Sequence, residues 1–151
     1  MGHQMRILFV DDELSPGADE PSGHYMWYYT RALREAGFVL EEASSVDQAL
    51  AILSKSPTHF DLAILDVLMP PGESLDPEGA GYGMRTGVVL ADRIRDIAPV
   101  LPLVVLTNVC SDTVLKAFQE KPNVSVVINK VDCTPFQLVD RLRAMHNGQD
   151  A

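Results

Sequence analysis

Residues Phe60–Pro70 read FDLAILDVLMP, and this stretch decides the fold. Its apolar centre, Leu62 to Leu65, opens after a loop and closes before Pro70. A short apolar run of this kind predicts a strand buried on both faces of a sheet, here Leu62–Asp66. Asp66 lies at the carboxyl end of that strand, where open parallel α/β sheets bind ligands. Asp66 is therefore either a cap for the next turn or a reactive carboxylate in a site.

The same alternation of apolar run and helical pattern extends along the whole chain. Four more strands are predicted at Arg6–Val10, Val39–Ala43, Leu103–Leu106 and Val124–Ile128. Helices are predicted at His24–Ala36, Val46–Leu53, Thr86–Ala98 and Asp112–Glu120, with a last one starting at Pro135 behind a Thr134 cap. Five β-α units predict a parallel sheet covered by helices on both faces, a three-layer α/β sandwich. The acids in Val39–Ala43 predict that this strand lies at an edge.

Composition restricts the function classes. The chain has 151 residues and 46% hydrophobic content, which fits one globular domain with a full core. A net charge of −9 argues against a nucleic-acid surface, which needs a basic stripe. No apolar run approaches the ~20 residues of a membrane helix, and no signal peptide is visible. Cys110 and Cys133 have no zinc or disulfide-framework spacing, so we expect two free thiols that could lie close together.

Two long acidic loops interrupt the pattern, at residues 13–23 and 70–85. Seven of the sixteen residues in 70–85 are Gly or Pro, so this segment is predicted to be neither a helix nor a central strand. Both loops start at the carboxyl ends of strands. They could fold over a site there, frame a docking surface, or be mobile surface loops.

Polar side chains gather at the carboxyl ends of four strands. The first strand ends at Asp11 and Asp12, the third at Asp66, the fourth at Thr107 and the fifth at Lys130. Two carboxylates ~4 Å apart repel by roughly 4 kcal/mol at an effective dielectric near 20, so three of them hold either protons or a cation. Oxygen ligands of this kind suit Mg²⁺. A carboxylate beside Mg²⁺ and a lysine is equipped to accept a phosphoryl group, with Thr107 donating to a phosphoryl oxygen.

At these residues the chain resembles the receiver domain of two-component response regulators. The matching pieces are Phe9–Glu13, Leu65–Pro70, Val105–Thr107 and Asn129–Lys130, in the family's order and on the family's elements. The resemblance implies a flavodoxin-like fold with strand order 2-1-3-4-5. It also implies a single receiver domain over residues 1–151, with no output domain, in the cytoplasm.

The resemblance assigns a role to each site residue. Asp66 would be the phosphoacceptor, supplied by a histidine kinase or phosphotransfer protein. Asp12, Asp66 and the backbone carbonyl of Leu68 would bind Mg²⁺ directly, and Asp11 would act mainly through water. Thr107 and Lys130 would contact the phosphoryl group. The protein would then be switched by modification and signal through protein contacts, rather than turn over a substrate as an enzyme.

Three positions depart from the family pattern. Val127 stands where the switch aromatic is usual, Val131 where a proline follows the lysine, and Asn108 where a smaller residue follows the threonine. Val127, Val131 and the two long loops favour an alternative, a degenerate receiver that binds proteins without phosphorylation, whereas the complete set of acids with Thr107 and Lys130 opposes it. A phosphohydrolase with an aspartate nucleophile is a weaker alternative, because Asp11-Asp12 lacks its usual spacing of two residues.

Four aromatic residues, Tyr25 and Trp27–Tyr29, lie within five positions at the start of the first predicted helix. Five consecutive residues cover every side of a helix, so they cannot all be buried. Either two pack inward and the others cover the long loops, or they form an exposed partner site.

Overall fold

The computed structural model describes residues 4–14, 26–108 and 111–150, with side chains up to Asn147. Its strands are β1 Arg6–Val10, β2 Val39–Ala43, β3 Leu62–Leu65, β4 Leu103–Thr107 and β5 Val124–Asn129. Its helices are α1 Met26–Glu35, α2 Val46–Lys55, α3 Thr86–Ile97, α4 Asp112–Gln119 and α5 Pro135–Asp150. The expected elements are all found. The loop 13–23, apart from its first two residues, and the expected helix start at His24 lie outside the described residues.

The five strands form one parallel sheet in the order β2-β1-β3-β4-β5. The predicted flavodoxin-like α/β fold and the edge position of β2 are therefore confirmed. Within the described residues, no helix is long and apolar enough to cross a bilayer.

Alternate residues of each central strand face opposite sides of the sheet. Leu8 and Val10 of β1 pack into a core with α2, α3 and α4, whereas Ile7 and Phe9 pack into a second core with α1 and α5. Strands buried on both faces need apolar residues at every position, which explains the continuous run Leu62–Leu65.

The predicted Thr134 cap is confirmed, and some boundaries shift by one or two residues. Ser45 accepts a hydrogen bond from the Gln48 amide, and Thr134 and Gln137 cap α5 reciprocally. β3 ends at Leu65, so Asp66 is the first residue after the strand rather than its last. β4 and β5 each run one residue further than predicted, to Thr107 and Asn129.

Segment 70–85 is packed against α2 and α3. The Asp47 carboxylate, in the first turn of α2, accepts hydrogen bonds from the Glu73 and Ser74 amides at 3.0 and 2.9 Å. Arg93 of α3 donates to the Ser74 carbonyl at 3.0 Å, and Leu75 is buried. The segment contains one 3₁₀ turn, Gly81–Gly83, and otherwise has no regular structure, as its composition predicts.

Candidate functional site

The ends of β1 and β3 bring the predicted carboxylates together. The Asp66 amide donates to the Val10 carbonyl at 3.2 Å, which fixes the first residue after β3 beside the end of β1. Asp11, Asp12 and Asp66 each offer a carboxylate oxygen, and these oxygens lie within 4.8 Å of one another. The expectation that acids from separate strands converge at one rim is therefore met by the geometry.

Lys130 enters this cluster from the end of β5. Its Nζ donates to Asp11 Oδ2 at 2.8 Å and to Asp66 Oδ2 at 3.1 Å. The side chains are almost fully enclosed, with exposed fractions of 2% for Lys130, 1% for Asp11 and 9% for Asp66. An ammonium buried this deeply needs paired charges, and these two carboxylates supply them.

The second carboxylate oxygens of Asp66 and Asp11 also accept hydrogen bonds. Asp66 Oδ1 accepts a hydrogen bond from the Val67 amide at 2.7 Å, and Asp11 Oδ1 accepts one from the Glu13 amide at 2.9 Å. Asp12 is exposed. The cluster is therefore rigid on its inner side and reaches solvent through Asp12 and the edge of Asp66.

Thr107 is the last residue of β4, and Leu68 is the third residue after β3. Thr107 is fully buried at the end of β4 and pairs in register with Asn129, the residue before Lys130. Leu68 is half-buried two residues beyond Asp66. Their contacts with a phosphoryl group and a metal stay predictions.

The pKa values in the cluster follow from burial and charge. Burial raises the pKa of Asp11 to about 6; the Lys130 charge opposes the shift and the Asp66 charge adds to it. Although Asp12 is exposed, partial desolvation of its carboxyl group, with the charges of Asp66 and Glu13, raises the pKa of Asp12. Burial acts to lower the pKa of Lys130, but Asp11 and Asp66 outweigh it and raise that pKa above its ordinary value.

The raised pKa of Asp11 predicts how the stability of the metal-free protein depends on pH. Between pH 3.8 and about 6, folded Asp11 keeps a proton that the unfolded chain has released. The free energy of unfolding therefore falls as pH rises through this window, by about 3 kcal/mol at most for a shift of about two units. The raised pKa of Lys130 adds stability that is lost only at alkaline pH.

We expect Asp11→Asn to remove this pH dependence, because asparagine does not titrate and Lys130 keeps Asp66 as a partner. In EDTA at about pH 7.5 the variant should be more stable than wild type by about 2 kcal/mol, and this gain should vanish near pH 4. Urea unfolding at both pH values measures the effect, with the exposed Asp96→Asn as control. A variant less stable than wild type at pH 7.5 would contradict the prediction.

Two residues support the backbone around the site although the sequence assigned them no role there. Gly87 of α3 lies against the backbone after Asp66: a Cβ here would overlap the Asp66 carbonyl oxygen and lie 2.8 Å from Val67 Cα. Its amide donates to the Val67 carbonyl at 3.0 Å. Tyr29 is the second contributor; its hydroxyl contacts the carbonyls of Lys130 and Cys133. Neither contact could be predicted from neighbouring residues, because each joins segments that are distant in the sequence.

The aromatic cluster on α1 is split between core and surface. Tyr29 is buried and Tyr28 is 52% exposed, with Trp27 packed edge-on against Tyr28. These side chains and Phe136 of α5 line a groove of about 580 Å³. Tyr25 lies outside the described residues. The described aromatics therefore combine inward packing with an exposed apolar surface.

Cys133 is buried and its thiol is free. Burial raises the pKa of this thiol, which lowers its reactivity. Cys110 lies outside the described residues, so the predicted proximity of the two cysteines stays a prediction.

Solved structures share this architecture over nearly the whole chain. A CheY-like response regulator receiver domain protein from Methanospirillum hungatei has a TM-score of 0.74 at 18% identity, covering 98% of both chains. The signal receiver domain of an HD domain-containing protein from Pseudomonas fluorescens has a TM-score of 0.72 at 20% identity, again covering 98% of both. The CheX-CheY-BeF3-Mg complex from Borrelia burgdorferi has a TM-score of 0.69 at 16% identity, covering 94% of this chain and 89% of that one.

No family model matches the sequence, and no curated protein does. The structural likeness extends across all five strands and their helices, with the strand order given above. The chain therefore has the receiver-domain fold of the CheY-like response regulators.

Proposed function

We propose that this protein is a phosphoacceptor receiver domain that takes a phosphoryl group onto Asp66 from a histidine kinase or phosphotransfer protein. The observation that carries the proposal is the position of Lys130, whose Nζ contacts both Asp11 and Asp66 at the buried end of the sheet. A structural cap on the next turn would need Asp66 alone. It would not need a second acid and a buried ammonium, so the capping interpretation leaves Lys130 unexplained.

In the proposed reaction an Asp66 carboxylate oxygen attacks the phosphorus atom. A P–O bond forms, the P–N bond to the donor histidine breaks, and the departing nitrogen keeps the electron pair. Lys130 offsets the negative charge on the transferred group, and Thr107 donates a hydrogen bond to one of its oxygens. The Asp66 side chain is 9% exposed, which leaves one edge open to a phosphoryl donor.

The donor set fits Mg²⁺. Three carboxylates and one ammonium leave a net charge of −2, and the ligand atoms are hard oxygens. Asp12, Asp66 and the Leu68 carbonyl would hold the ion, with Asp11 acting mainly through water, as the resemblance to receiver domains implies. When bound, the ion neutralises charge on the phosphoryl oxygens during transfer. The Borrelia complex, which has the same fold, contains BeF3 and Mg.

The proposed output is a change in protein contacts, so the protein is switched rather than acting as a turnover enzyme. A phosphorylation-independent binding module is the second candidate. Val127 favours it, because this half-buried valine packs into the core on the α2–α4 side and has no ring to reorient. Val131 is 80% exposed and does not restrain the loop through packing.

One experiment separates the two candidates. Wild-type protein is incubated with phosphoramidate, with Mg²⁺ or with EDTA, and its intact mass is measured. The phosphoacceptor proposal expects a metal-dependent adduct of one phosphoryl group per chain. The absence of any adduct with Mg²⁺ would overturn it and favour the binding module.

A further inference from the structure

The Tyr29 hydroxyl contacts both ends of the turn that carries Lys130. Tyr29 lies on α1 with 4% of its surface exposed. Its hydroxyl donates to the Cys133 carbonyl at 2.5 Å and lies 3.3 Å from the Lys130 carbonyl. These two carbonyls flank the 3₁₀ turn Lys130–Asp132. The single hydroxyl proton is donated to the Cys133 carbonyl at the end of this turn, and the hydroxyl also contacts the Lys130 carbonyl at its start.

The turn has weak internal support. The Cys133 amide reaches the Lys130 carbonyl at 3.4 Å, which is long for a hydrogen bond. The Asn129 side chain accepts from the Val131 amide at 2.9 Å, but this contact lies at the exposed surface. The Val131 side chain is largely exposed and adds little packing. Tyr29 supplies a buried contact that joins the turn to the body of the protein.

The side chain of Lys130 depends on where its backbone is held. A lysine has four rotatable side-chain bonds, so its ammonium reaches two fixed acceptors only when the Cα position is set. Here Nζ lies 2.8 Å from Asp11 Oδ2 and 3.1 Å from Asp66 Oδ2. We propose that Tyr29 is a positioning residue that sets Lys130 at the phosphoacceptor site by anchoring the turn that carries this lysine, chiefly through the hydrogen bond to the Cys133 carbonyl. This inference rests on the function proposed above.

Mg²⁺ binding and phosphoryl transfer depend on different parts of the site. Asp11, Asp12 and Asp66 are positioned by β1 and β3, so Mg²⁺ binding does not depend on Tyr29. Lys130 is positioned by the turn after β5, so the transfer step does depend on Tyr29. Removing the Tyr29 hydroxyl should slow transfer without weakening Mg²⁺ binding, whereas a general loosening of the site would affect both.

The test compares Tyr29→Phe with Tyr28→Phe. Each variant loses one hydroxyl from α1 and keeps its ring, but Tyr28 is 52% exposed. Phosphoramidate labelling of Asp66 is timed at saturating Mg²⁺, and Mg²⁺ affinity is measured by calorimetry. We expect Tyr29→Phe to label about tenfold more slowly, with an unchanged Mg²⁺ affinity. Tyr28→Phe should match wild type in both measurements.

A second measurement does not depend on phosphorylation. The ¹⁵N signal of the Lys130 ammonium, recorded in lysine-labelled protein, should shift in Tyr29→Phe and stay in place in Tyr28→Phe. Equal labelling rates for the two variants would overturn the proposal, as would a parallel loss of Mg²⁺ affinity in Tyr29→Phe. Wild-type protein that takes no label would overturn the proposed function instead. In that case an unmoved Lys130 signal in Tyr29→Phe would also remove the positioning role.

Discussion

Asp66→Asn is expected to take up no phosphoryl group from phosphoramidate in Mg²⁺, under conditions that label the wild-type protein fully. The amide lacks the nucleophilic carboxylate and removes one of the three acids that could hold the ion. The fold should persist, because the asparagine oxygen can still accept the hydrogen bond from the Val67 amide. Intact mass measures the loss, and circular dichroism verifies that the variant is folded.

Two further variants make this result specific to Asp66. Asp12→Asn removes a second acid of the cluster but not the nucleophile, so labelling should be slow yet still reach Asp66. Asp96→Asn changes an exposed acid of α3 and should label like wild type. Borohydride reduction of the acyl phosphate followed by peptide mapping locates the modified residue. Label on Asp66→Asn, or on Asp12 in the wild-type protein, would contradict the assignment.

The sheet could be predicted from the sequence because each buried strand is marked by a pattern of neighbouring residues. Strands buried on both faces need unbroken apolar runs, and Leu62–Leu65 is such a run with every residue buried. In parallel strands the carboxyl ends share one edge, so Asp11, Asp66 and Lys130 could be predicted to meet although 119 positions separate the first from the last. The boundary of β3 was misplaced by one residue, since Asp66 follows the strand rather than ending it.

Contacts without a periodic signal could not be predicted. The Tyr29 hydroxyl reaches Cys133 across 104 positions, and Asp47 binds the Ser74 amide across 27. A helical pattern shows that Tyr29 faces inward but does not show which carbonyl its hydroxyl meets. Gly87 is similar: its use is the close approach of α3 to the backbone after Asp66, which only the folded structure shows. Such contacts depend on tertiary packing rather than on spacing.

Lys130→Met is expected to lower the free energy of unfolding by about 3 kcal/mol at about pH 7.5. Methionine fills a similar volume but leaves Asp11 and Asp66 as buried acids without a compensating charge. The loss should shrink below about pH 6, because Asp11, whose pKa is already about 6 beside the lysine, then takes up a proton. Urea unfolding in EDTA across this pH range measures the effect.

Lys121→Met is the matched control, because it breaks another Lys–Asp pair. Lys121 Nζ lies 2.6 Å from Asp92 Oδ1, but that carboxylate is 61% exposed, so its loss should cost less than about 1 kcal/mol. The double variant Asp11→Asn/Lys130→Met should recover much of the stability lost in Lys130→Met, since one of the two unpaired acids is gone. Equal losses for Lys130→Met and Lys121→Met would show that the ammonium does not compensate the buried acids.

Lys130→Met should also be labelled by phosphoramidate more than tenfold more slowly than wild type, even at a pH where the variant is fully folded. Phosphorylation replaces the single charge of Asp66 with a phosphoryl group that carries nearly two. Lys130 Nζ already lies 3.1 Å from Asp66 Oδ2, beside the carboxylate on which this extra charge develops. If Lys130 served only to stabilise the resting fold, adding Asp11→Asn to Lys130→Met would restore both the stability and the labelling rate. In the proposed function the double variant regains stability and still labels slowly, because asparagine relieves the buried charge without supplying a cation to the phosphoryl oxygens.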